Sequence, residues 1–245
     1  MSGKKFGLVG KNIGYSFSKN YFTERFRNDN VLDNSYDNFD IQDISEFPKI
    51  IEDNPDLAGL NVTIPYKEIV IPYLDSLSKK ATQIGAINVI RFKKGKLKGY
   101  NSDYYGFKKS LQPLLKPHHK KALILGTGGA SKAIAFALDE LDILYTFVSR
   151  EAKENTIDYN RINATTFDNY QIIINCTPLG TSPNTAAFPP LPYEFFTENH
   201  IAFDLIYNPQ ETQFLSKAKA NGATIKNGME MLILQAEKAW KIWNK

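Results

Sequence analysis

Apolar residues along this chain come in short runs set off by turn formers, and the runs follow two different periods. Phe6 to Gly10 reads as a short buried strand closed by glycine, and Tyr36 to Ile41 alternates as a half-buried strand does. Phe22 and Phe26 stand one helical turn apart, with Ser18 as the expected cap of their helix. Ile44 to Ile51 reads as a short helix ending before Asn54-Pro55, and a further strand ends near Val62. Leu77 to Gly85 is an expected helix, Ala86 to Phe92 and Lys96 to Tyr100 an expected hairpin, and Tyr104 to Leu115 a helical run behind Asp103.

The second half has a sharper pattern. Lys121 to Leu125 is a buried run, followed by Gly126-Thr127-Gly128-Gly129-Ala130-Ser131 and then by small and apolar residues at helical spacing through Leu138. Strand, glycine turn and helix in that order open a dinucleotide-binding βαβ unit. Gly126 permits the tight turn, Gly128 lets the backbone approach a pyrophosphate, and the helix offers free N–H groups to the anion. Ser131 stands where the usual pattern has its third glycine, so a purely structural tight turn remains the alternative. Leu144 to Val148, Gln171 to Cys176 and Ala202 to Leu205 are further strands, and Thr212 to Asn221 is a helix stopped by Gly222. In the last helix Met229, Leu232, Ile233, Ala236, Trp240 and Trp243 form one apolar stripe. Gln235 falls off that stripe, either solvated or facing a cleft.

Composition narrows the class. The 245 residues are 42% hydrophobic, enough for two modest domains or one large one, and the net charge is only +4. The densest basic cluster, Arg91, Lys93, Lys94, Lys96 and Lys98, straddles Gly95 and reads as a solvated hairpin tip, so no nucleic-acid partner is expected. The single cysteine, Cys176, excludes an internal disulfide and reads as a small buried residue. There is no long apolar leader and no run near the ~20 residues of a membrane span, so a cytoplasmic protein without membrane contact is expected. His118, His119 and His200 lack ligand spacing, and no metal is expected.

Several polar residues suggest chemistry. Ser16 and Ser18 at a helix entrance are either caps and turn formers or holders of a carboxylate or phosphate. Pro65 suits a first helical turn, which would set Lys67 against the helix dipole and lower its pKa, as a proton donor or acceptor needs; a solvated lysine is the alternative. Asp103 is either a helix cap or a functional carboxylate. Ser149-Arg150 ends the second strand of the βαβ unit, where an acid would bind the ribose of NAD and an arginine accommodates the 2′-phosphate of NADP. Glu151 argues against that reading, Lys153 could assist it, and a solvated arginine is the alternative. Thr177 follows a strand end in such a sheet, where a nicotinamide would lie.

Taken together these motifs resemble those of the shikimate dehydrogenase family. They are Ser16-Phe17-Ser18, Asn61 to Lys67, Gly85 to Asn88, Asn101-Ser102-Asp103, Gly126 to Ser131, Asn175 to Gly180, Asp204 to Pro209 and Asn227 to Gln235, eight in order. The resemblance implies an α/β fold of two domains with a cleft between them. Residues 1–103 plus 227–245 would form the substrate-binding domain, with the C-terminal helix packing back on it, and 104–226 a Rossmann-type NADP-binding domain. It implies Lys67 and Asp103 as the catalytic pair, Ser16 and Ser18 for the substrate carboxylate, and Thr63, Asn88, Tyr207 and Gln235 for the ring hydroxyls or cleft lining. Cofactor binding would fall to Gly126, Thr127, Gly128, Gly129, Ala130, Ser149, Arg150, Thr177, Ile206 and Gly228.

The implied activity is reversible reduction of 3-dehydroshikimate to shikimate by NADPH in aromatic amino-acid biosynthesis, by a monomer or homodimer. A quinate/shikimate dehydrogenase of broader specificity and a non-catalytic NADP-binding sensor are the alternatives. The chain departs from the family pattern at Asn12, Tyr15 and Lys19 in the entry loop, at Ser102 and Ser149, and in a short segment between Arg150 and Gln171.

Overall fold

The computed structural model describes residues 3–14, 16–151 and 155–245, so Tyr15 and Lys153 lie outside the described residues. The chain forms two units. One comprises the residues up to Ser102 together with Ala236–Lys245, and the other comprises Asp103–Gln235.

The first unit opens with β1 (Lys5–Gly10), α1 (Phe17–Asn28), β2 (Ser35–Asp40), α2 (Phe47–Asp53) and β3 (Leu57–Val62). It continues through the two-residue β4 (Ser76–Leu77), α3 (Lys79–Ile84), β5 (Val89–Lys93) and β6 (Lys96–Tyr100). The sheet order is β2-β1-β3-β5-β6-β4. β1 is parallel to both β2 and β3, β5 runs antiparallel to β3 and, in a hairpin, to β6, and β6 is parallel to β4. The turn of that hairpin is Lys94-Gly95, both at positive φ, which puts the basic cluster on a hairpin tip.

The cap of α1 is Ser16, not Ser18. Ser16 has extended backbone and accepts the N–H of Lys19, while Ser18 lies inside the first turn. Phe22 and Phe26 are buried as their spacing requires. After β3, residues 64–70 form successive turns, and only a short 3₁₀ turn, Ile71–Tyr73, follows. Tyr66 N–H bonds Thr63, Val70 bonds Tyr66, and Tyr73 bonds Val70. The Lys67 carbonyl is taken instead by the N–H of Ile87 at 2.8 Å, so no regular helix dipole forms at Lys67.

In the second unit α4 (Asp103–Leu111) begins with Asp103 and gives way to a short 3₁₀ turn at Gln112–Leu114, earlier than the expected end at Leu115. Then follow β7 (Lys121–Leu125), α5 (Gly129–Asp139), β8 (Leu144–Ser149), β9 (Thr156–Asp158) and α6 (Ala164–Asn169). The unit continues with β10 (Ile172–Asn175), β11 (Ile201–Asp204), α7 (Gln213–Ala220) and β12 (Thr224–Lys226). All six strands are parallel, in the order β12-β11-β10-β7-β8-β9. Renumbered from β7, that is the 3-2-1-4-5-6 order of the dinucleotide-binding fold. The central strands are continuous apolar runs because both faces are covered.

α8 (Met229–Trp243) starts in the second unit and ends in the first. In the first unit Trp243 packs 4.8 Å from the Phe6 ring and donates its indole N–H to the Ile90 carbonyl. The buried residues of the helix are Met231, Gln235, Ala236, Ala239, Ile242 and Trp243, so Ala236 and Trp243 of the expected stripe are buried while Ile233 is 39% exposed. Gln235 therefore sits within the buried face rather than off it, and Ile233 is outside. A side-chain pattern of this kind has enough apolar positions to draw two stripes, and packing selects the one with the small residues Ala236 and Ala239.

Candidate functional site

In the second unit, the sequence-derived cofactor residues gather along the carboxyl edge of one parallel sheet. Gly126 to Ala130 follow β7, Ser149 ends β8 with Arg150 after it, Thr177 follows β10, Ile206 follows β11 and Gly228 follows β12. Gly126 has φ +103, a conformation open to glycine, and a Cβ there would come within 3.3 Å of Thr177 Cγ2. Gly128 caps α5 with extended backbone and no side-chain hydrogen bond, and a Cβ built on it meets nothing within 4 Å. The α5 terminus is thus uncapped by any side chain and open beside Gly128, which leaves room for an anion. Ser131, at the third glycine position, is buried and turns its hydroxyl back to the Gly128 carbonyl at 2.6 Å, closing the turn from inside. Arg150 is exposed. These features fit a pyrophosphate on the α5 terminus and a phosphate beside Arg150.

The far half of the same edge is tightly bonded. Asn175 Oδ1 accepts both the N–H and the hydroxyl of Thr177, at 3.0 and 2.6 Å. Gly228 donates its N–H to the Ile206 carbonyl at 3.0 Å, and any Cβ at 228 would overlap the Leu205 carbonyl. Cys176 is half-buried, and burial pushes its thiol well above the usual range. Tyr207 follows Ile206, its phenol pKa raised by burial.

In the first unit, Ser16, Ser18, Thr63, Lys67 and Asn88 also share one sheet edge, the end at which β1 and β3 finish and β5 starts. Thr63 donates its N–H to Val9 and packs its methyl against Gly10, where a Cβ would collide with it. Lys67 is tied through its carbonyl to Ile87, next to Asn88. Behind these residues runs a buried polar chain. The Tyr36 hydroxyl donates to Asn61 Oδ1 at 2.8 Å, Asn61 Nδ2 donates to the Asn88 carbonyl at 3.2 Å, and Asn88 Nδ2 donates to Ser102 Oγ at 2.9 Å. Ser102 returns its N–H to Asn88 Oδ1 at 2.6 Å. Burial raises the Tyr36 pKa far above its ordinary value, and the nearby Ser18 hydroxyl opposes the shift. A tyrosine on an alternating strand reads as core, and only the buried partner of its hydroxyl gives Tyr36 a further role.

Asp103, Tyr207 and Gln235 belong to the second unit, with Asp103 and Gln235 buried. Asp103 opens α4, and Gly106 one turn later lies so close to α8 that a Cβ would press on the Met231 carbonyl and the Gln235 backbone. Among the described residues no group of three or more His, Cys, Asp or Glu is arranged to hold a metal, and no helix is long and apolar enough to cross a membrane.

Known proteins match over nearly the whole length. The family model described as the shikimate dehydrogenase substrate binding domain matches residues 8–90. A shikimate dehydrogenase (NADP+) of Clostridium botulinum is 38% identical over 97% of this chain and 95% of its own. One from Methanosphaera stadtmanae is 37% identical over 97% of this chain and 90% of its own. Among solved structures, shikimate 5-dehydrogenase of Thermus thermophilus in complex with NADP(H) and shikimate superposes with a TM-score of 0.86 at 30% identity, covering 98% of this chain and 93% of the other.

Proposed function

Because the chain belongs to the shikimate dehydrogenase family, we propose that it catalyses the NADPH-dependent, reversible reduction of 3-dehydroshikimate to shikimate. One observation carries the reading beyond family membership. The glycine turn with its uncapped helix terminus, Arg150, Thr177, Ile206 and Gly228 all lie on a single edge of the 3-2-1-4-5-6 sheet, where such folds take a dinucleotide.

In this reading the α5 terminus, with Gly126, Thr127, Gly128, Gly129 and Ala130, holds the pyrophosphate. Ser149 and Arg150 hold the 2′-phosphate, and Thr177, Ile206 and Gly228 face the nicotinamide half. NADPH held there would supply the hydride for the carbonyl carbon. Lys67 stabilises the negative charge growing on the carbonyl oxygen and delivers the proton that completes the hydroxyl. Asp103 orients that oxygen and the ammonium. In the reverse direction Lys67 would take the hydroxyl proton, and bound NADP+ would be the acceptor for the hydride released from the carbon. Ser16 and Ser18 bind the substrate carboxylate, and Thr63, Asn88, Tyr207 and Gln235 bind ring hydroxyls or wall the site. The Asn88 amide is already oriented by Ser102, which fits a residue that must hold one geometry.

The direct test follows shikimate-dependent reduction of NADP+ by the purified chain, with quinate and NAD+ in parallel. Turnover with shikimate and NADP+ is expected. Absence of turnover with intact folding would defeat the reading, and equal efficiency on quinate would widen it to both acids.

A further inference from the structure

Asp204 ends β11 and stands in register beside Asn175, the last residue of β10. It is fully buried. Its Oδ1 accepts the Asn175 side-chain amide at 3.1 Å and the Ile206 N–H at 3.0 Å, and its Oδ2 accepts the Thr212 hydroxyl at 2.6 Å. Asn175 in turn holds Thr177 through two bonds. The Thr177 hydroxyl also accepts the Leu179 N–H at 3.3 Å, and Asn175 Nδ2 reaches the Leu179 carbonyl at 3.4 Å. One carboxylate therefore grips Ile206 directly and the Thr177 loop through a single amide. The arrangement is costly, since burial drives the Asp204 pKa up to about 6 against the pull of its three donors. A carboxylate kept at such cost on a ligand-binding edge is a mark of function.

We propose that Asp204 is a positioning residue that sets the Thr177 and Ile206 loops together and so fixes how the nicotinamide half of the dinucleotide is held. The inference rests on the reading of this unit as the NADP-binding one. The adenosine half is served from β8, and β10 and β7 lie between β11 and β8 in the sheet. Changes at Asp204 should accordingly divide the cofactor, weakening one half and sparing the other.

The test titrates the full chain with NADPH and with adenosine 2′,5′-bisphosphate, which carries the 2′-phosphate and lacks nicotinamide. For Asp204→Asn the NADPH Kd should rise about tenfold or more, while the bisphosphate Kd stays within about twofold of the unaltered chain. Thr212→Val, which strips one donor and leaves the carboxylate, should show the same split to a smaller degree and substitutes if Asp204→Asn does not fold. Equal weakening of both ligands, or no weakening of either, overturns the proposal while the cofactor reading stands. If the unaltered chain binds neither ligand, the cofactor reading itself fails and takes the inference with it.

Discussion

The phenol of Tyr36 donates to the side-chain oxygen of Asn61 across 2.8 Å, and both residues are buried. This bond starts the chain of amides that runs through Asn88 to Ser102. Tyr36→Phe keeps the ring, stacked 4.9 Å from Phe22, and removes only the hydroxyl. Asn61 Oδ1 then loses its donor in a dry interior, at a cost of about 1–3 kcal/mol. Urea unfolding should show a lower midpoint with an unchanged slope. If the midpoint holds, the hydroxyl contributes nothing net.

Lys67→Ala should lower kcat by about 10²–10⁴-fold, the usual range for losing a positioned proton donor. The NADPH Kd should change little. The bond from Ile87 goes to the Lys67 backbone carbonyl, so truncating the side chain spares it and the fold should survive. Normal turnover in this variant would remove Lys67 from the mechanism.

Asp103→Asn separates helix support from chemistry. Asp103 lies in the first turn of α4, where a negative charge adds roughly 0.3–1 kcal/mol and where asparagine serves nearly as well for hydrogen bonding. Stability should fall by less than about 1 kcal/mol, whereas turnover should fall by two orders of magnitude or so. A variant that keeps full turnover would leave Asp103 a structural residue.

If Arg150 holds the 2′-phosphate as proposed, Arg150→Ala should weaken NADPH and leave NADH nearly untouched, because that phosphate is what distinguishes them. Steady-state KM values for the two cofactors measure this. Equal losses would mean that Arg150 supports the loop, not the phosphate.

The α/β class and the glycine turn were legible because a buried parallel strand, a tight turn and a small-residue helix each leave a strong local pattern in Lys121 to Leu138. β9 and β12 were not, since three-residue strands such as Thr156–Asp158 and Thr224–Lys226 are too short for any period to emerge. Lys67 misled for a different reason. Pro65 is a fair helix signal, but the backbone there is drawn into a bond with Ile87, distant in sequence, and a long-range partner cannot be read from local pattern. Ser16 and Ser18 are equally good caps on paper, and the backbone entering α1 chose the first. Gln235 falls off the expected stripe by helical angle, yet it is buried beside Met231 and Ala239, so a solvated side chain is ruled out. Asp204 was seen only as the first letter of a motif, since its burial and three donors are tertiary facts.

Asp204 also predicts how stability varies with pH. Its pKa stands near 6 in the fold against an ordinary value of 3.8, so between those values the folded chain retains a proton that the unfolded chain has released. Stability linked to this group is therefore fully present below about pH 4 and declines as pH rises through about 6. The shift of roughly two units bounds the loss at about 3 kcal/mol. Asp204→Asn carries no titrating proton, so its stability relative to the unaltered chain should improve steadily from pH 4 to pH 7. Urea midpoints for both proteins across that range measure the difference. Parallel curves would mean that the carboxylate is ionised in the fold at ordinary pH, with its three donors outweighing the cost of burial.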